Sequence, residues 1–583
     1  MSESKQAKQE IIGKLFVCEV QGNDGEGIGT EKMPFKSLLK AVTHVNGEIS
    51  KYDVQVRKEI LEPYAPAAKA ALKKAVKAYE VQQKKAAKDA ERAVQDREKA
   101  EQQKAAELAK LEAARAIVLE QDSSLPEAQY IRLRDSTAYR GKRVKVSGWV
   151  HRLRVQGKDM MFIVLRDGYG QIQCVLTGKQ CHTYDALTLT LESTVSIYGV
   201  IQELPEGKTA IGGHELICDY WEVIGKAPGG DEAFGNLFTA DSSPDLLLDQ
   251  RHLVIRGDIA SSVLKFRSIT LKAFRDHFDS QNVFEVTPPL MVQSQAEGGS
   301  AIFDFNYYGE TAYLTQSSQL YLETVLPSIG DAYCMTESFR AENSNTRRHL
   351  SEFTHCEAEY GFITFDDLLD RIENMIVSVV DAVMANPISK QILMELNPNF
   401  KPPKKPFRRM DYADAIQWLK DNGIKKTLVD ENDNPVLDEN GNEIKVDYEF
   451  GEDIPESPER LMTDTIGEPI LLCRFPVEIK SFYMKKCPED PRLTESVDVL
   501  MPGVGEITGG SMRIADYNEL MAAYAREGFD PKPYYWFTDQ RKYGTCEHGG
   551  FGLGVERYLA WLLNRYSVRD VCLYPRFKNR CQP

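Results

Sequence analysis

The chain has 583 residues, 42% of them hydrophobic and 27% charged, and at roughly 150 residues per domain this length predicts several domains, about four. Apolar runs stay well short of the roughly 18 residues that a membrane-spanning helix needs, and the first residues lack an apolar leader, so we expect neither a membrane protein nor an imported one. The net charge of −15 disfavours non-specific nucleic-acid binding, while eleven scattered cysteines without a C-x-x-C pair exclude a zinc ribbon and favour a reducing compartment, the cytoplasm.

The first 125 residues predict two segments of different character. Residues 1–60 combine a strand-like run, "KLFVCEV", with a Gly- and Asn-rich loop and a short helical run, so we expect a small appended module. Residues 61–125 are rich in Ala, Lys and Glu and predict one long polar helix with a basic first half. Two interpretations stay open for this helix: a solvated spacer, or a cationic arm that contacts RNA phosphates.

The middle of the chain predicts an all-β domain. In residues 126–228, runs such as "RVKVSGWVHRLRV" and "TVSIYGVI" alternate apolar and polar residues between Gly-containing turns, which suits a small Greek-key barrel of about five strands. Residues 229–249 indicate a linker. From 250 to 583, helical and strand patterns mix in one large domain with an insertion at about 398–450.

The stretch "FRAENSNTRRHLSEF" (339–353) places mixed charge between two strand-like runs. Because side chains alternate along a strand, a hairpin would turn Arg340 and Glu342 of one run and Phe353 and Glu357 of the other toward one pocket. The loop between the two runs would place three basic side chains next to that pocket: Arg347, Arg348 and His349. A solvated hairpin tip with salt bridges is the alternative, but both signs of charge together favour a polyphosphate site with a base-stacking ring.

A second motif, "HGGFGLGVERYLAWLLNRY", alternates glycines with apolar residues and then becomes an amphipathic helical run. Gly554 ends the strand-like part, and Arg557 falls in the first helical turn. Alone, this pattern favours a tight strand–helix junction. Beside the first motif it also fits a nucleotide that lies flat against glycines, with Arg557 on a phosphate or a base.

A third motif, "TESVDVLMPGVGEITGGSMRI", brings acids to a Gly-rich turn. Asp498 and Glu506 offer oxygen ligands of the type that Mg²⁺ prefers, and Arg513 ends the run. A turn with solvated carboxylates is the equal alternative when the segment is taken alone.

Three stretches resemble the motifs of class II aminoacyl-tRNA synthetases in their order along the chain: "VFEVTPPLM" resembles motif 1, "FRAE…RRHLSEF" motif 2 and "GGFGLGVER" motif 3. The small barrel resembles the anticodon-binding OB-fold of the subclass that charges Asp, Asn and Lys. "RRHLSEFTHCEAE" and "RDVCLYPRFKNRCQP" resemble the eukaryotic cytosolic asparaginyl family, as does the appended amino-terminal region. The resemblance implies an α+β chain: an antiparallel-sheet catalytic domain, an OB-fold barrel, and an appended module with a Lys-rich helix.

The resemblance also implies a function, ATP-dependent charging of tRNA(Asn) with L-asparagine through an asparaginyl-adenylate. Mg²⁺ would bind Asp498 and Glu506; some aspartyl relatives add a serine ligand where this chain has Gly509. Arg340, Arg557 and Glu506 would be catalytic. Further ATP contacts would come from motifs 2 and 3: Glu342, Arg348, His349, Phe353 and Gly554. No general base is required, because a carboxylate is already a nucleophile and catalysis is alignment with charge neutralisation.

For the amino acid, the resemblance points to asparagine rather than aspartate. Aspartyl relatives carry a lysine where this chain has Leu322, and that lysine meets the substrate carboxylate. Without it a buried carboxylate would be poorly neutralised. Glu357 would accept from the substrate amide, Arg513 would donate to its carbonyl, and the α-amino end would meet two further residues, Gln319 and Glu297.

For the tRNA, the family's anticodon readers match Arg154, Phe162 and Gln173 in the barrel, with Phe162 stacked on the central uridine. A core position is the alternative for Phe162. Motif 1 implies a homodimer.

Two rival functions stay open at this point. An aspartyl-tRNA synthetase, or an asparagine synthetase derived from the same fold, would prefer aspartate. A non-catalytic RNA-binding or signalling relative is disfavoured, because such a chain is expected to lose Arg340, Glu506 or Arg557, and all three are present.

Overall fold

The computed structural model describes residues 11–295, 302–430 and 434–583. Its internal contacts divide the chain into two units, Met1–Thr239 and Ala240–Pro583. Each unit is described by itself below.

The first unit begins with a small sheet. Strand β1 (Gly13–Cys18) pairs in parallel with β2 (Tyr52–Arg57), and β3 (Ala65–Pro66) pairs antiparallel with β2. Helix α1 (Leu38–His44) packs on this sheet, with apolar residues of both closing a small core. Ser37 begins the helix by accepting a hydrogen bond from the backbone N–H of Lys40, as an N-cap serine should.

A single helix, α2 (Lys69–Arg115), follows the small sheet. Its sequence has neither glycine nor proline and is rich in alanine, so backbone propensity alone favours the helix. Ala75 packs into the small core and Ala114 is buried near the other end, whereas the intervening lysines are exposed. A helix with so little apolar surface is held mainly by its two ends.

The rest of the first unit is the predicted barrel, which is confirmed. Its sheet has the order β4-β5-β6-β7-β9-β8, and β8 also pairs with β5, which closes it. Inward residues alternate along each strand and form one apolar core. The strands are β4 (Gln129–Tyr130), β5 (Arg143–Gln156), β6 (Met160–Arg166), β7 (Gln171–Thr177), β8 (Thr194–Glu203) and β9 (His214–Gly225). Short helices α3 (Tyr184–Leu187) and α4 (Phe234–Leu237) complete the unit.

The second unit is built on an eight-stranded sheet of order β10-β14-β15-β22-β21-β20-β19-β16. Only the outermost pairs, β10–β14 and β16–β19, are parallel, so the predicted antiparallel-sheet α+β domain is confirmed. The strands of the unit are β10 (Phe284–Glu285), β11 (Met291–Val292), β12 (Asp304–Tyr307), β13 (Glu310–Leu314), β14 (Ala332–Phe339), β15 (Glu352–Gly361), β16 (Arg408–Asp411), β17 (Lys425–Thr427), β18 (Lys445–Asp447), β19 (Ile470–Cys473), β20 (Ser496–Met501), β21 (Gly505–Met512) and β22 (His548–Gly554).

Helices cover one face of this sheet. The largest apolar cluster of the chain joins α7, α9 and α15 to alternate residues of the central strands, and the opposite face of those strands is left for the site. The helices of the unit are α5 (Pro244–Asp249), α6 (Arg251–Val254), α7 (Asp258–Ser280), α8 (Gln319–Ile329), α9 (Phe365–Ala385), α10 (Pro387–Leu396), α11 (Tyr412–Asp421), α12 (Glu456–Ile466), α13 (Tyr517–Glu527), α14 (Tyr535–Thr538) and α15 (Val555–Leu562).

The structure differs from the sequence expectation in two places. The run "VFEVTPPLM" contributes only the two-residue strands β10 and β11, because prolines cannot donate to a strand ladder. Part of the expected insertion is integral to the sheet, since β16 is its edge strand and α11 packs with β16 and β19 in one apolar cluster; β17 and β18 form a separate hairpin.

One observation bears on membranes. Among the described residues, no single helix has the length and apolar character to cross a bilayer; α9 and α10 pass that test only as a pair, bent by 99° at their junction.

Candidate active site

Strand β15 sorts its side chains between the core and the site. Cys356 and Ala358 point into the apolar cluster under the sheet. Phe353, Glu357 and Glu359 point the other way, into a cavity of about 330 Å³. The alternation expected from the sequence is thus present, although β14 ends at Phe339, before Arg340 and Glu342.

This cavity brings together all the described residues that the sequence analysis assigned to ATP, metal and amino acid. They come from helices α8 and α15, from strands β15, β20, β21 and β22 or their ends, and from the segment between β14 and β15. They are Gln319, Leu322, Glu357, Arg513, Asp498, Glu506, Arg557, Arg340, Glu342, Arg348, His349, Phe353 and Gly554. Glu297 lies outside the described residues.

The motif 2 side chains form one mixed-charge group at the cavity. The guanidinium of Arg340 lies 5.5 Å from the ring centre of Phe353 and 3.9 Å from a carboxylate oxygen of Glu342. His349 lies 3.3 Å from the other oxygen of Glu342 and hydrogen-bonds Thr346 at 2.6 Å. Burial lowers the pKa of His349 although Glu342 opposes that shift. The ring therefore favours its neutral form, and Arg340 and Arg348 are the permanent cations of the motif that line the cavity.

Two arginines converge on Glu506 from opposite sides. Arg557 donates to a carboxylate oxygen of Glu506 at 3.0 Å, and Arg348 donates to its backbone carbonyl at 3.1 Å. Burial would raise the pKa of Glu506, but Arg557, Lys480 and Arg348 lower it to about 2. Glu506 is consequently an anion throughout the neutral range, set against fixed cations.

A further carboxylate, Glu459 of α12, was not found from the sequence. It accepts the backbone N–H of Glu506 at 3.1 Å and lies 3.8 Å from Arg348. Burial and the neighbouring Glu506 raise the pKa of Glu459 to about 8. It is separated by many residues from every motif, so no local pattern could have indicated it.

Asp498 and Glu506 have the geometry of a cation site. One oxygen of Asp498 accepts from Lys480 at 2.6 Å, and one oxygen of Glu506 accepts from Arg557. A Cβ built on Gly509 would lie 3.5 Å from the other oxygen of Asp498 and 3.7 Å from the other oxygen of Glu506. Both remaining oxygens thus face the same small space, and a pair of carboxylate oxygens fits Mg²⁺. Lys480 was missed by the sequence analysis.

The glycines of β22 have a role that the sequence did not indicate. A Cβ at Gly550 would overlap the carboxylate of Glu359, and one at Gly552 would overlap the ring of His355. These glycines therefore make room for side chains of the paired strand β15. At Gly554 a Cβ would meet only Arg557, at 3.9 Å, so this glycine alone borders an arginine of the cavity.

The amino-acid end of the cavity is already heavily hydrogen-bonded. Glu357 accepts from the backbone N–H of Ser318 at 2.8 Å and from the hydroxyl of Ser317. Arg513 binds Glu359 through two nitrogens, at 3.1 and 3.0 Å. Leu322 is fully buried and lines this end, so no cation occupies its position.

On the barrel, the three predicted anticodon readers share the outer face. Arg154 of β5 lies opposite Phe162 of β6 in the register, with its guanidinium 4.6 Å from the ring centre. Gln173 of β7 pairs with Val164, two residues from Phe162, and donates to Glu215. Phe162 is half-buried and stands outside the barrel core, so the alternative of a core position does not hold.

Family models match most of the chain. "tRNA synthetases class II (D, K and N)" matches residues 243–578. "OB-fold nucleic acid binding domain" matches residues 144–224. "Asparaginal-tRNA synthetase, N-terminal domain" matches residues 30–126.

Individual relatives are similar over nearly the full chain. The cytoplasmic asparagine–tRNA ligase of Homo sapiens is 54% identical over 98% of this chain and 100% of its own length. The cytoplasmic asparagine–tRNA ligase of Saccharomyces cerevisiae is 53% identical over 98% of this chain and 100% of its own length. Among solved structures, the asparaginyl-tRNA synthetase of Entamoeba histolytica in complex with asparaginyl-adenylate is 44% identical, with a TM-score of 0.71 over 79% of this chain and 100% of its own.

Proposed function

The chain belongs to the class II aminoacyl-tRNA synthetases of the Asp, Lys and Asn group, and we propose that it charges tRNA(Asn) with asparagine in an ATP-dependent reaction. One observation carries this proposal: a single cavity joins phosphate-binding arginines to a side-chain pocket where Leu322 replaces a cation. The relatives above are named asparagine–tRNA ligases at more than half identity over the full length. They are also named cytoplasmic, which is the compartment we assign.

The reaction has two steps. The carboxylate of asparagine attacks the α-phosphorus of ATP and forms an oxygen–phosphorus bond. The bond from the α-phosphorus to the bridging oxygen breaks, and pyrophosphate leaves with that oxygen. A ribose hydroxyl at the tRNA end then attacks the carbonyl carbon of the adenylate, and AMP leaves. Because the first nucleophile is already ionised, the pocket contributes alignment and neutralisation of charge rather than a general base.

The proposed roles of the phosphate-side residues follow their positions. Arg340, a permanent cation beside Phe353, would neutralise the charge that develops at the α-phosphate. Phe353 and Arg557 would hold the adenine between them, and Glu342 would contact its edge. Arg348 and His349 would meet the outer phosphates, and Arg348 is held in place by Glu506 and α12.

Asp498 and Glu506 would hold Mg²⁺, because their remaining oxygens face one space beside Gly509. When bound, the ion would supply positive charge to the phosphate oxygens. The chain's own part is to keep Glu506 ionised through Arg557 and Arg348, and to orient Asp498 through Lys480.

Selection of asparagine over aspartate is proposed to rest on Leu322 and Glu357. A substrate carboxylate here would meet the carboxylate of Glu357 and no lysine, whereas a carboxamide donates to Glu357 and accepts from Arg513. Gln319 would bind the α-amino end. The test is pyrophosphate exchange with asparagine or aspartate as the sole amino acid, followed by charging of tRNA(Asn). Preference for aspartate would refute the proposal.

The barrel is proposed to read the anticodon through Arg154, Phe162 and Gln173. The half-exposed ring of Phe162 beside a guanidinium is a stacking platform of the kind that binds single-stranded bases. Residues 1–60 and 61–125 are proposed as an appended module and arm, 126–228 as the anticodon domain, 229–249 as a linker, and 250–583 as the catalytic domain.

A homodimer is proposed for the catalytic domain. Two large aromatic residues are exposed at the same end of the sheet, on β10 and just after β15, with β14 between them: Phe284 at 57% and Phe362 at 88%. The backbone of Phe362 is also in the left-handed region, with φ of 60°, a conformation unfavourable for a bulky residue. Burial against a second copy would remove this apolar surface from water. Analytical ultracentrifugation of the wild type and Phe362→Ser tests it; a monomeric wild type would refute it.

A further inference from the structure

At the amino-acid end of the cavity lies a group of buried charged side chains of which only Arg513 has a proposed role. We call it the charge cluster. It consists of Glu323 of α8, Glu359 of β15, Arg513, Arg541 and His548 of β22. Each is at most 6% exposed. Burying so many charges is costly unless they bind one another in a fixed geometry.

Glu323 is the centre of the charge cluster. One oxygen accepts from the side-chain amide of Gln319 at 3.1 Å. The other accepts from Arg541 at 2.5 Å and faces Nε2 of His548 at 3.0 Å. Although burial raises it, Arg541 and His548 lower the pKa of Glu323 to about 2. Glu323 is therefore a carboxylate that only accepts hydrogen bonds.

The surroundings of His548 fix its protonation. Nδ1 lies 2.8 Å from the backbone carbonyl of Cys546, and a carbonyl oxygen can only accept, so Nδ1 carries a proton. Nε2 lies 3.0 Å from the ionised Glu323 and 3.5 Å from a guanidinium nitrogen of Arg541; the carboxylate oxygen is nearer and can only accept, so Nε2 carries a proton as well. Both ring nitrogens are donors, which is the bonding pattern of an imidazolium.

A metal ion is a poor alternative for this group. Ligand atoms of Glu323, Glu359 and His548 lie within 4.8 Å of one another, a distance that a metal would accept. However, Arg541 already binds the oxygen of Glu323 that such an ion would need. A guanidinium at that position would repel a cation.

We infer that His548 is a buried imidazolium, and that with Glu323 and Arg541 it positions the substrate-binding residues and keeps the amino-acid end of the cavity without net charge. Gln319 is held by Glu323, and the backbone N–H of Arg513 donates to the carbonyl of His548 at 2.9 Å. Three carboxylates then face three cations: Glu323, Glu357 and Glu359 against Arg513, Arg541 and His548. His355 lies 3.5 Å from Glu357 and hydrogen-bonds the hydroxyl of Ser338 at 2.9 Å, and this balance counts it as a neutral ring.

This balance bears on specificity, and here the inference rests on the proposed function. A neutral carboxamide leaves three charges of each sign, whereas a carboxylate would add an uncompensated buried charge. His548, Glu323 and Arg541 are positioning residues, because Glu323 acts through Gln319, and Arg541 and His548 act through Glu323, rather than on the substrate itself.

The protonation is tested by NMR on the full-length protein labelled with ¹⁵N-histidine, with His548→Gln to assign the signal. Both ring nitrogens of His548 are expected to show the shifts of protonated nitrogens, because each faces an oxygen that only accepts. An unprotonated nitrogen at about pH 7 would overturn the inference. This result does not depend on which amino acid the protein activates.

The positioning role is tested by kinetics of His548→Gln, Glu323→Gln and the double variant. Each single change is expected to raise KM for asparagine about tenfold, with KM for ATP unchanged, because a charge-assisted buried bond is lost. The double variant should raise KM for asparagine by less than the product of the two single effects, since it removes one charge of each sign. Lys542→Gln, which removes the neighbouring surface cation bound to Asp539, is the matched control and should match the wild type.

Other outcomes are equally decisive. An unchanged KM for asparagine, or equal changes in KM for asparagine and ATP, would overturn the positioning role. A double variant whose effect on KM equals the product of the single effects would overturn it as well. If His548→Gln does not fold, Glu323→Gln carries the kinetic test. A wild type without asparagine-dependent exchange would instead count against the proposed function, whatever the NMR result.

Discussion

The cavity of the catalytic unit and the outer face of the barrel hold their proposed ligand-binding side chains in opposite ways. In the cavity, Arg513 and Glu357 are buried and Glu506 is half-buried, and each holds at least two fixed partners. On the barrel, Arg154 is exposed and Phe162 half-exposed, and the guanidinium of one lies against the ring of the other. Removing a group from the first region leaves charges unpaired, whereas removing one from the second loses a single contact. Substitutions in the two regions should therefore differ in size and in the step they affect.

The largest effect is expected at Arg340. Arg340→Ala removes the permanent cation at the reacting phosphate and should lower asparagine-dependent pyrophosphate exchange about a thousandfold, the loss typical of one transition-state donor. Arg409→Ala is the control, because that arginine binds two surface carboxylates, Asp366 and Asp370, far from the chemistry. Circular dichroism checks folding. Retained exchange in Arg340→Ala would contradict the assigned role.

The next effect concerns selectivity. Leu322→Lys places an ammonium in a fully buried site, so asparagine activation should fall about a hundredfold while the ratio of aspartate to asparagine activation rises, because an opposite charge now has a partner. Pyrophosphate exchange with each amino acid measures the ratio. Leu322→Met, which conserves volume and polarity, should keep it. A lysine variant with an unchanged ratio would remove Leu322 from the account of specificity.

A smaller effect that spares the first step is expected on the barrel. Phe162→Ala should lower kcat/KM for tRNA(Asn) about thirtyfold, equivalent to about 2 kcal/mol for one lost stacked base. Pyrophosphate exchange should not change, because adenylate formation does not involve the tRNA. Val164→Ala on the same outer face is the matched control. A loss of exchange in Phe162→Ala would indicate a damaged fold instead.

Sequence reasoning succeeded where neighbours in space are neighbours in the sequence pattern. Alternation predicted that Phe353 and Glu357 share a face, and it placed the barrel strands, since both follow from the two-residue period of a strand. It failed for Lys480, Glu459, Glu323 and His548. Lys480 and Glu459 reach the site from segments outside every motif, so no local period connects them to it. Glu323 and His548 were overlooked within the motifs, since Glu323 stands four residues after Gln319 on α8 and His548 begins the glycine motif. The sequence predicted that the glycines of β22 make room for a nucleotide. In the structure, the side chains of Glu359 and His355 fill the space beside Gly550 and Gly552.

A mild gain is expected at the cation site. Gly509→Ser adds a hydroxyl beside the two carboxylate oxygens, in space that a Cβ enters without overlap. The Mg²⁺ concentration that half-saturates exchange should fall about fivefold, close to 1 kcal/mol for one extra oxygen ligand. Gly509→Ala adds the Cβ without the hydroxyl. Identical Mg²⁺ dependence of the serine and alanine variants would show that the hydroxyl does not reach the ion.

The smallest effect separates the two interpretations of α2. Its lysines are exposed and spread along a helix with few other contacts, so each contributes only a screened attraction to phosphates. A triple variant with glutamine at Lys77, Lys84 and Lys88 should bind tRNA about threefold more weakly at low salt and show a flatter salt dependence. Its pyrophosphate exchange should not change. Lys99, Lys104 and Lys110→Gln remove the same charge from the half where acids alternate with bases, and should do less. Equal effects of the two triples, or none, would make α2 a spacer, and the chain's affinity for tRNA would then rest on the barrel face and the cavity alone.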